Sequence, residues 1–129
     1  MDFLSPSTLP EPPGYSHVVS ARPARVVWIS GQVAMNADGT AAPPGDWEAQ
    51  TRLAFENVGR ALEAAGASWP DVAKLTYFVV DVAALQTIRT VRDEFVDAER
   101  PPASSLVQVA ALFRPDLLIE IEAVACPGD

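Results

Sequence analysis

Two carboxylates alternate with isoleucines near the C-terminus of the chain. The segment 118–125 reads LIEIEAVA, so Glu120 and Glu122 point to one side of a predicted β-strand and the isoleucines point to the other. A carboxylate on a desolvated face of a sheet can act as a general acid or base. Glu120 is therefore the candidate catalytic residue, with an interface carboxylate held by hydrogen bonds as the alternative. Glu122 is interpreted as structural.

A cation stands at the edge of an apolar helical stripe. In the sequence IRTVR (88–92), Arg89 falls beside the stripe that includes Leu85 when the residues are placed 100° apart. A long side chain at such a boundary can run along apolar surface and present its charged end to a cleft. The alternative is a solvated Arg89 that pairs with Asp93, four residues further on.

The remaining composition excludes several kinds of chemistry. One cysteine (Cys126) and one histidine (His17) cannot form a disulfide or a His/Cys zinc site within one chain. The net charge of −8 repels nucleic-acid backbones and anionic membranes. Apolar runs are too short to span a bilayer, and the N-terminus lacks the pattern of a signal peptide. We expect a cytoplasmic protein that binds neither nucleic acid nor membrane.

The periodicity of the sequence predicts the elements that position these residues. Apolar residues from Trp47 to Ala65 recur every three or four positions, which predicts a helix with Asp46 as its N-cap and Gly66 after its end. Asp81 can cap a second helix, which ends before Pro101. The predicted strands are His17–Ala21, Val26–Gly31, Val33–Met35, Lys74–Asp81, Ser104–Ala111 and Leu117–Cys126, and the first two read as a hairpin.

The order β-β-β-α-β-α-β-β predicts a single α+β domain over residues 1–129. Two amphipathic helices would cover one face of a mixed, mostly antiparallel sheet. The prolines within Pro6–Pro13 make residues 1–13 an extended arm. Strands Val26–Ile29 and Tyr77–Val80 are apolar on both faces. Because the chain has no third layer, we expect another copy of the chain to cover the second face of the sheet.

Several segments, in the right order, resemble one family. They are GYSHVV (14–19), ISGQVAM (29–35), FENVGRALEAAG (55–66), AKLTYFVVD (73–81), PPASSLVQVAAL (101–112) and LIEIEAVA (118–125). They resemble the Rid family of reactive intermediate deaminases, also called YjgF-like or L-PSP endoribonuclease-like proteins. The resemblance implies a two-layer, chorismate-mutase-like fold and a homotrimer with clefts between its subunits. It also implies hydrolysis of imines or enamines, such as 2-aminoacrylate, without a metal or an organic cofactor.

The resemblance also assigns residues to a site in the cleft. Glu120 matches the family's water-positioning carboxylate, Tyr15 matches a tyrosine near the pocket, and Ser30 with Gly31 matches a turn that lines it. Leu106 is a further candidate for contact with the substrate.

One family feature is missing from the predicted site. Where deaminating members carry an arginine that grips the substrate carboxylate, this chain has Ser104. A serine hydroxyl cannot make the bidentate, charged contact of a guanidinium. Arg89 is the candidate replacement cation.

The leading hypothesis is a homotrimer that binds a small metabolite between subunits and hydrolyses an imine or enamine, with Glu120 positioning water. The alternative is a member of the family that binds a small molecule or acts as an accessory protein without catalysis. An endoribonuclease, the activity in the family's older name, is disfavoured by the charge of −8 and the single histidine.

Overall fold

Two helices cover one face of a four-stranded sheet in the computed structural model, which describes residues 1–128. The end of the predicted domain, residue 129, lies outside the described residues. The strands are β1 (Asp2–Leu4), β2 (Val18–Ser20), β3 (Val27–Val33), β4 (Val72–Val79), β5 (Ala103–Gln108) and β6 (Ile119–Ala125), and the helices are α1 (Trp47–Ala64) and α2 (Leu85–Arg92). None of these helices is long and apolar enough to cross a membrane.

The main sheet has the strand order β3-β6-β4-β5. Strand β6 lies between β3 and β4 and is antiparallel to both, whereas β4 and β5 are parallel. The parallel pair is the one that α2 connects, as a crossover requires. The prediction of an α+β fold with a mixed, mostly antiparallel sheet is confirmed.

The predicted hairpin between the first two strands is wrong. Strand β2 pairs with β1, from Asp2–Ser20 to Leu4–Val18, in a separate two-stranded sheet. The N-terminal arm can fold back because its first strand ends before the prolines begin at Pro6. Strand β3 pairs instead with β6 and continues through a bulge between Ile29 and Gln32 to Val33. Of the stretch predicted as a third strand, Val33–Met35, only Val33 belongs to β3. The predicted number of strands, six, is right, but β1 was not predicted and the predicted third strand is not a separate one.

The predicted signals at both ends of α1 are confirmed. The Asp46 carboxylate accepts a hydrogen bond of 2.9 Å from the Ala49 amide. Gly66 follows the C-terminal cap with a φ of +66°, a conformation that glycine adopts without strain. Between these ends, Phe55, Val58 and Leu62 are fully buried against the sheet.

Helix α2 is shorter than predicted. Asp81 accepts a hydrogen bond from the Ala83 amide, but the residues it caps form a 3-10 turn, Val82–Ala84, that leads into α2. The helix ends at Arg92, although the apolar stripe continues to Phe95, which stacks on Phe55 at 5.1 Å between ring centroids. Strand β5 ends three residues before its predicted end, and strand β6 begins two residues after its predicted start.

One face of the main sheet is open in the single chain. Strand β6 buries Ile119, Ile121, Ala123 and Ala125 under the helices and turns its other residues outward. We call the opposite side the outer face; its apolar residues are Trp28, Phe78, Val107 and Val124. Trp28 pairs with Val124 in register and is 78% exposed. That a second copy covers this face stays a prediction.

Candidate functional site

A cavity of about 210 Å³ opens between α2, the edge strand β5 and the segment before β2. Its lining combines cations and hydroxyls with an apolar wall. The polar lining residues are Tyr15, Tyr77, Arg89, Arg92, Ser104 and Ser105, and the apolar ones are Pro13, Leu85, Ile88 and Leu106. Four of the predicted site residues therefore meet here: Tyr15, Arg89, Ser104 and Leu106.

The register between β4 and β5 places Ser104 and Leu106 at the cavity. Ser104 and Leu106 are the parallel partners of Leu75 and Tyr77 in β4, which are 1% and 3% exposed under the helices. Partners in a ladder project to the same side of the sheet. Ser104 and Leu106 consequently face the helix layer, and because β5 is the edge strand, the space beside them opens outward.

Tyr15 is placed by its neighbour Ser16. The Ser16 amide donates to the Pro102 carbonyl at 3.1 Å, and its buried hydroxyl donates to the Pro101 carbonyl at 2.6 Å. These bonds fix the segment against the start of β5. The Tyr15 ring packs edge to face on His17, with 5.3 Å between centroids, and His17 contacts the Pro10 carbonyl at 2.6 Å. The predicted strand residue His17 lies just before β2.

Arg89 makes no ion pair within residues 1–128. The alternative pairing with Asp93 is wrong, because Asp93 is bound by Arg92 at 3.0 Å instead. The i,i+4 spacing within a helix would favour Arg89, but α2 ends at Arg92 and Asp93 is its C-terminal cap, where the adjacent Arg92 binds it. The positive charge of Arg89 is left uncompensated at the cavity.

Arg92 is a site residue that sequence reasoning missed. Its side chain is 14% exposed, its Nε donates to Asp93 Oδ1 at 3.0 Å, and its Nη1 lies 3.4 Å from the Pro13 carbonyl. Its Nη2 lies so close to Gly14 that a Cβ there would overlap it. The available signal was its position, three residues after Arg89 and therefore on the same side of α2.

Tyr77 is the second residue that sequence reasoning missed. Its hydroxyl is buried and has no hydrogen-bond partner within the described residues. Burial raises the pKa of this hydroxyl well above its usual range, although the charge of Arg92 acts in the opposite direction. Tyr77 is consequently a protonated donor that lines the cavity. Its position in an otherwise apolar, inward-facing register was the signal in the sequence.

The other predicted site residues lie elsewhere. Glu120 is on the outer face of β6, paired in register with Phe78 and Val33. Its carboxylate lies directly on the backbone of Gly31, where a Cβ would overlap it. Ser30 and Gly31 belong to the bulge of β3. The single chain therefore holds two groups: Glu120 with Ser30 and Gly31 on the outer face, and the cavity with its two arginines.

These two groups differ in what they can do. The cavity has positive charge, hydroxyl donors and an apolar wall, so it fits a small organic anion. Among residues 1–128, no carboxylate lines it, and no cluster of three or more His, Cys, Asp or Glu is arranged to hold a metal ion. Glu120 carries a carboxylate that suits proton transfer, and it is not among the residues that line the cavity.

The fold of this α+β protein is shared by several solved structures. YyfB of Yersinia pestis, a protein of unknown function in the conserved Rid family, has a TM-score of 0.87 and 37% identity, over 98% of each chain. TdcF of E. coli, solved with bound serine, has a TM-score of 0.71 and 34% identity, over 99% of this chain and 100% of that one.

Sequence relatives lead to the same family. A RutC family protein of Synechocystis, slr0709, is 30% identical over 127 residues, which is 97% of this chain and 95% of that protein. A protein of E. coli K12 that is named "Putative reactive intermediate deaminase TdcF" is 39% identical over 102 residues, which is 78% of each chain. Residues 8–126 match the Endoribonuclease L-PSP family. The chain belongs to this family, as the sequence resemblance indicated, and its fold is the chorismate-mutase-like fold of the Rid proteins.

Proposed function

We propose that this protein binds a small carboxylate metabolite in the cavity and hydrolyses an imine or enamine, as a homotrimer whose clefts lie between subunits. The observation that carries the proposal is the uncompensated charge of Arg89 in a cavity with an apolar wall. Membership in a family with reactive intermediate deaminases supports the reaction class.

The cavity suits a small, partly apolar acid. At about 30 Å³ for each water molecule, 210 Å³ holds a ligand of several non-hydrogen atoms. Arg89 attracts the carboxylate, and Leu85, Ile88 and Leu106 contact a short hydrocarbon part. The bound serine in TdcF is a ligand of this size and carries a carboxylate. Arg89 thus takes the place of the cation that Ser104 cannot provide.

The reaction needs one base and one water. A substrate such as 2-aminoacrylate first becomes its imine by moving a proton from nitrogen to carbon. Water then adds to the carbon of the C=N bond while Glu120 accepts one of its protons. The same carboxyl returns this proton to the nitrogen, which gives a carbinolamine. Glu120 then takes the proton of the carbinolamine hydroxyl and passes it to the amine nitrogen as the C–N bond breaks, so that the products are ammonia and the keto acid. Ser30, Gly31 and Tyr15 would bound the space in which this water sits.

A second copy is needed to complete this site. Glu120 is held on the outer face and the arginines lie at the edge beside α2, so one chain does not bring them together. The exposed Trp28 and the other apolar residues of the outer face favour an association that buries them. A ring of three copies, as the family resemblance implies, would place the outer face of one subunit against the cavity of the next.

A non-catalytic binding protein is the second candidate function. The specific observation in its favour is Ser104, which removes the family's usual cation from β5. In that case the cavity and the arginines stay as described, and Glu120 only stabilises the interface. An endoribonuclease fits less well, because the chain carries a net charge of −8.

The experiment compares two glutamates on the same face of β6. Glu120→Gln keeps the size of the side chain but removes the base, whereas Glu122→Gln makes the same change two residues on, at an exposed position. With 2-aminoacrylate generated in the assay, and pyruvate formation measured, we expect Glu120→Gln to lower kcat by about 100-fold or more. Glu122→Gln should stay within about twofold of wild type.

The two candidate functions give different results in this assay. Equal turnover by wild type and Glu120→Gln, on a substrate that wild type clearly hydrolyses, would rule out the catalytic role. Wild type that binds pyruvate without accelerating hydrolysis would favour the binding protein.

A further inference from the structure

The least exposed polar group of the cavity is the Tyr77 hydroxyl, which has no hydrogen-bond partner among residues 1–128. Tyr77 is 3% exposed, and its ring packs edge to face on Phe55 at 6.0 Å, so the ring cannot swing into solvent without leaving the core. A buried hydroxyl without a partner destabilises a fold, and such groups in native structures call for an explanation. Because Tyr77 is among the residues that line the cavity, a ligand bound there is the candidate for the missing acceptor.

Arg92 lines the same cavity as Tyr77, and neighbouring residues hold its guanidinium in place. Asp93 binds its Nε and Nη2, Pro13 lies 3.4 Å from its Nη1, and Gly14 packs against the guanidinium. A guanidinium has five N–H donors, and these contacts use three of them. The two that are left, in a side chain 14% exposed at the cavity, are available to a ligand.

We infer that Tyr77 and Arg92 form an oxyanion-binding pair at the floor of the cavity, which holds one carboxylate oxygen of the substrate while Arg89 holds the other. The inference rests on the binding part of the proposed function and is independent of hydrolysis. It adds two specificity-determining residues, which replace the carboxylate contact that Ser104 cannot make. A hydroxyl and a guanidinium N–H are both hydrogen-bond donors, so the pair binds an ionised carboxylate. It discriminates against a carboxamide, because the NH2 group of a carboxamide is itself a donor and cannot accept these hydrogen bonds.

The separation of the two arginines supports a single carboxylate between them. They stand three residues apart on α2, a spacing that places side chains as neighbours on the helix surface. Only Arg92 has a carboxylate of its own, Asp93, which orients it without occupying the cavity. The uncompensated charge of Arg89 attracts the carboxylate, and the hydrogen bonds from Tyr77 and Arg92 orient it.

The first test removes the hydroxyl. Tyr77→Phe deletes an unpaired buried group, so we expect the ligand-free protein to have an unchanged or higher midpoint of thermal unfolding. Pyruvate, the product-like probe, should bind about 10-fold more weakly to this variant by isothermal titration calorimetry, because a hydrogen bond to a charged group is lost. Opposite changes in stability and affinity separate a ligand-binding role from a structural one.

The second test removes the guanidinium. Arg92→Gln should weaken pyruvate binding by about 10- to 100-fold, and Arg92→Lys should recover only part of this loss because it lacks the planar fork. Arg52→Gln is the matched control, since Arg52 is also bound to neighbouring carboxylates but lies on α1, outside the cavity. Its affinity for pyruvate should equal that of wild type. Wild type should bind pyruvamide at least about 10-fold more weakly than pyruvate.

Three results would overturn the inference: wild-type affinity for pyruvate in folded Tyr77→Phe, wild-type affinity in folded Arg92→Gln, or equal binding of pyruvate and pyruvamide by wild type. Failure of the hydrolytic proposal would look different. It would appear as unchanged turnover in Glu120→Gln, and the pyruvate affinities of the cavity variants would not depend on it.

Discussion

Two charged side chains of the candidate site lie directly on glycine backbone. The Glu120 carboxylate occupies the space that a Cβ of Gly31 would need, and the Arg92 guanidinium occupies the space beside Gly14. At Gly14 the backbone also has a φ of +87°, which a residue with a Cβ adopts only with strain. Each glycine therefore sets the position of a functional group by its lack of a side chain.

Gly14→Ala should displace Arg92 and weaken ligand binding. Gly39→Ala is the matched control, because Gly39 has nearly the same φ, +85°, but has open space around its Cβ position. Both substitutions should lower the free energy of unfolding by about 1–2 kcal/mol through backbone strain. Only Gly14→Ala should also reduce pyruvate affinity in calorimetry, by at least about fivefold. Equal affinities in the two variants would show that the position of Arg92 does not depend on Gly14.

At the scale of elements, a buried glutamine connects α1 to the start of β6. Gln50 is fully buried; its side-chain amide donates to the Asp116 carbonyl at 2.7 Å and accepts from the Leu118 amide at 2.8 Å. Leu118 directly precedes β6, two residues before Glu120. Gln50 thus holds the strand that carries the candidate catalytic carboxylate.

Gln50→Leu should be strongly destabilising although it keeps a similar volume. It leaves the Asp116 carbonyl and the Leu118 amide without these partners in a partly buried region, which we expect to cost about 2–4 kcal/mol in urea denaturation. Gln86→Leu on α2 is the control, since Gln86 is exposed, and its effect should stay within about 0.5 kcal/mol. A small effect at position 50 would mean that water or a rearranged loop satisfies these backbone groups.

At the scale of the molecule, the open outer face is the surface through which we propose that copies of the chain associate. Trp28 is the most exposed of its apolar residues, and Glu120 lies on the same face. Burying a large apolar side chain contributes about 1.5–3 kcal/mol, and a trimer repeats this contribution at each interface. The same contact that stabilises the trimer would therefore complete the candidate active site.

Trp28→Glu should dissociate the trimer and abolish hydrolysis together. Light scattering of wild type should give about three times the chain mass of 13.8 kDa, and Trp28→Glu should give a mass near that of one chain. Leu9→Glu is the control, because Leu9 is 45% exposed but lies on the N-terminal arm, outside the outer face. It should remain trimeric and active. A wild-type monomer, or a Trp28→Glu monomer with full turnover, would contradict the intersubunit site.

The sequence by itself determined those features that local signals specify. Asp46 and Gly66 set the ends of α1, because a helix cap depends on residues within one turn. The alternation in β6 set which face carries Glu120, because side chains on a strand alternate whatever the strand pairs with. The ordered family segments then led to the fold, and four of the residues singled out, Tyr15, Arg89, Ser104 and Leu106, line one cavity.

Only the tertiary structure decided which distant groups meet. The partner of β2 is β1 rather than β3, because pairing is chosen by contacts across the fold, and the apolar residues of either strand satisfy the local pattern. Asp93 pairs with Arg92 although the i,i+4 spacing favours Arg89, because α2 ends at Arg92, and Pro13 and Gly14 contact the Arg92 side chain. The unpaired Tyr77 hydroxyl becomes visible only when the core around it is in place, because burial and the absence of a partner are properties of the packed chain.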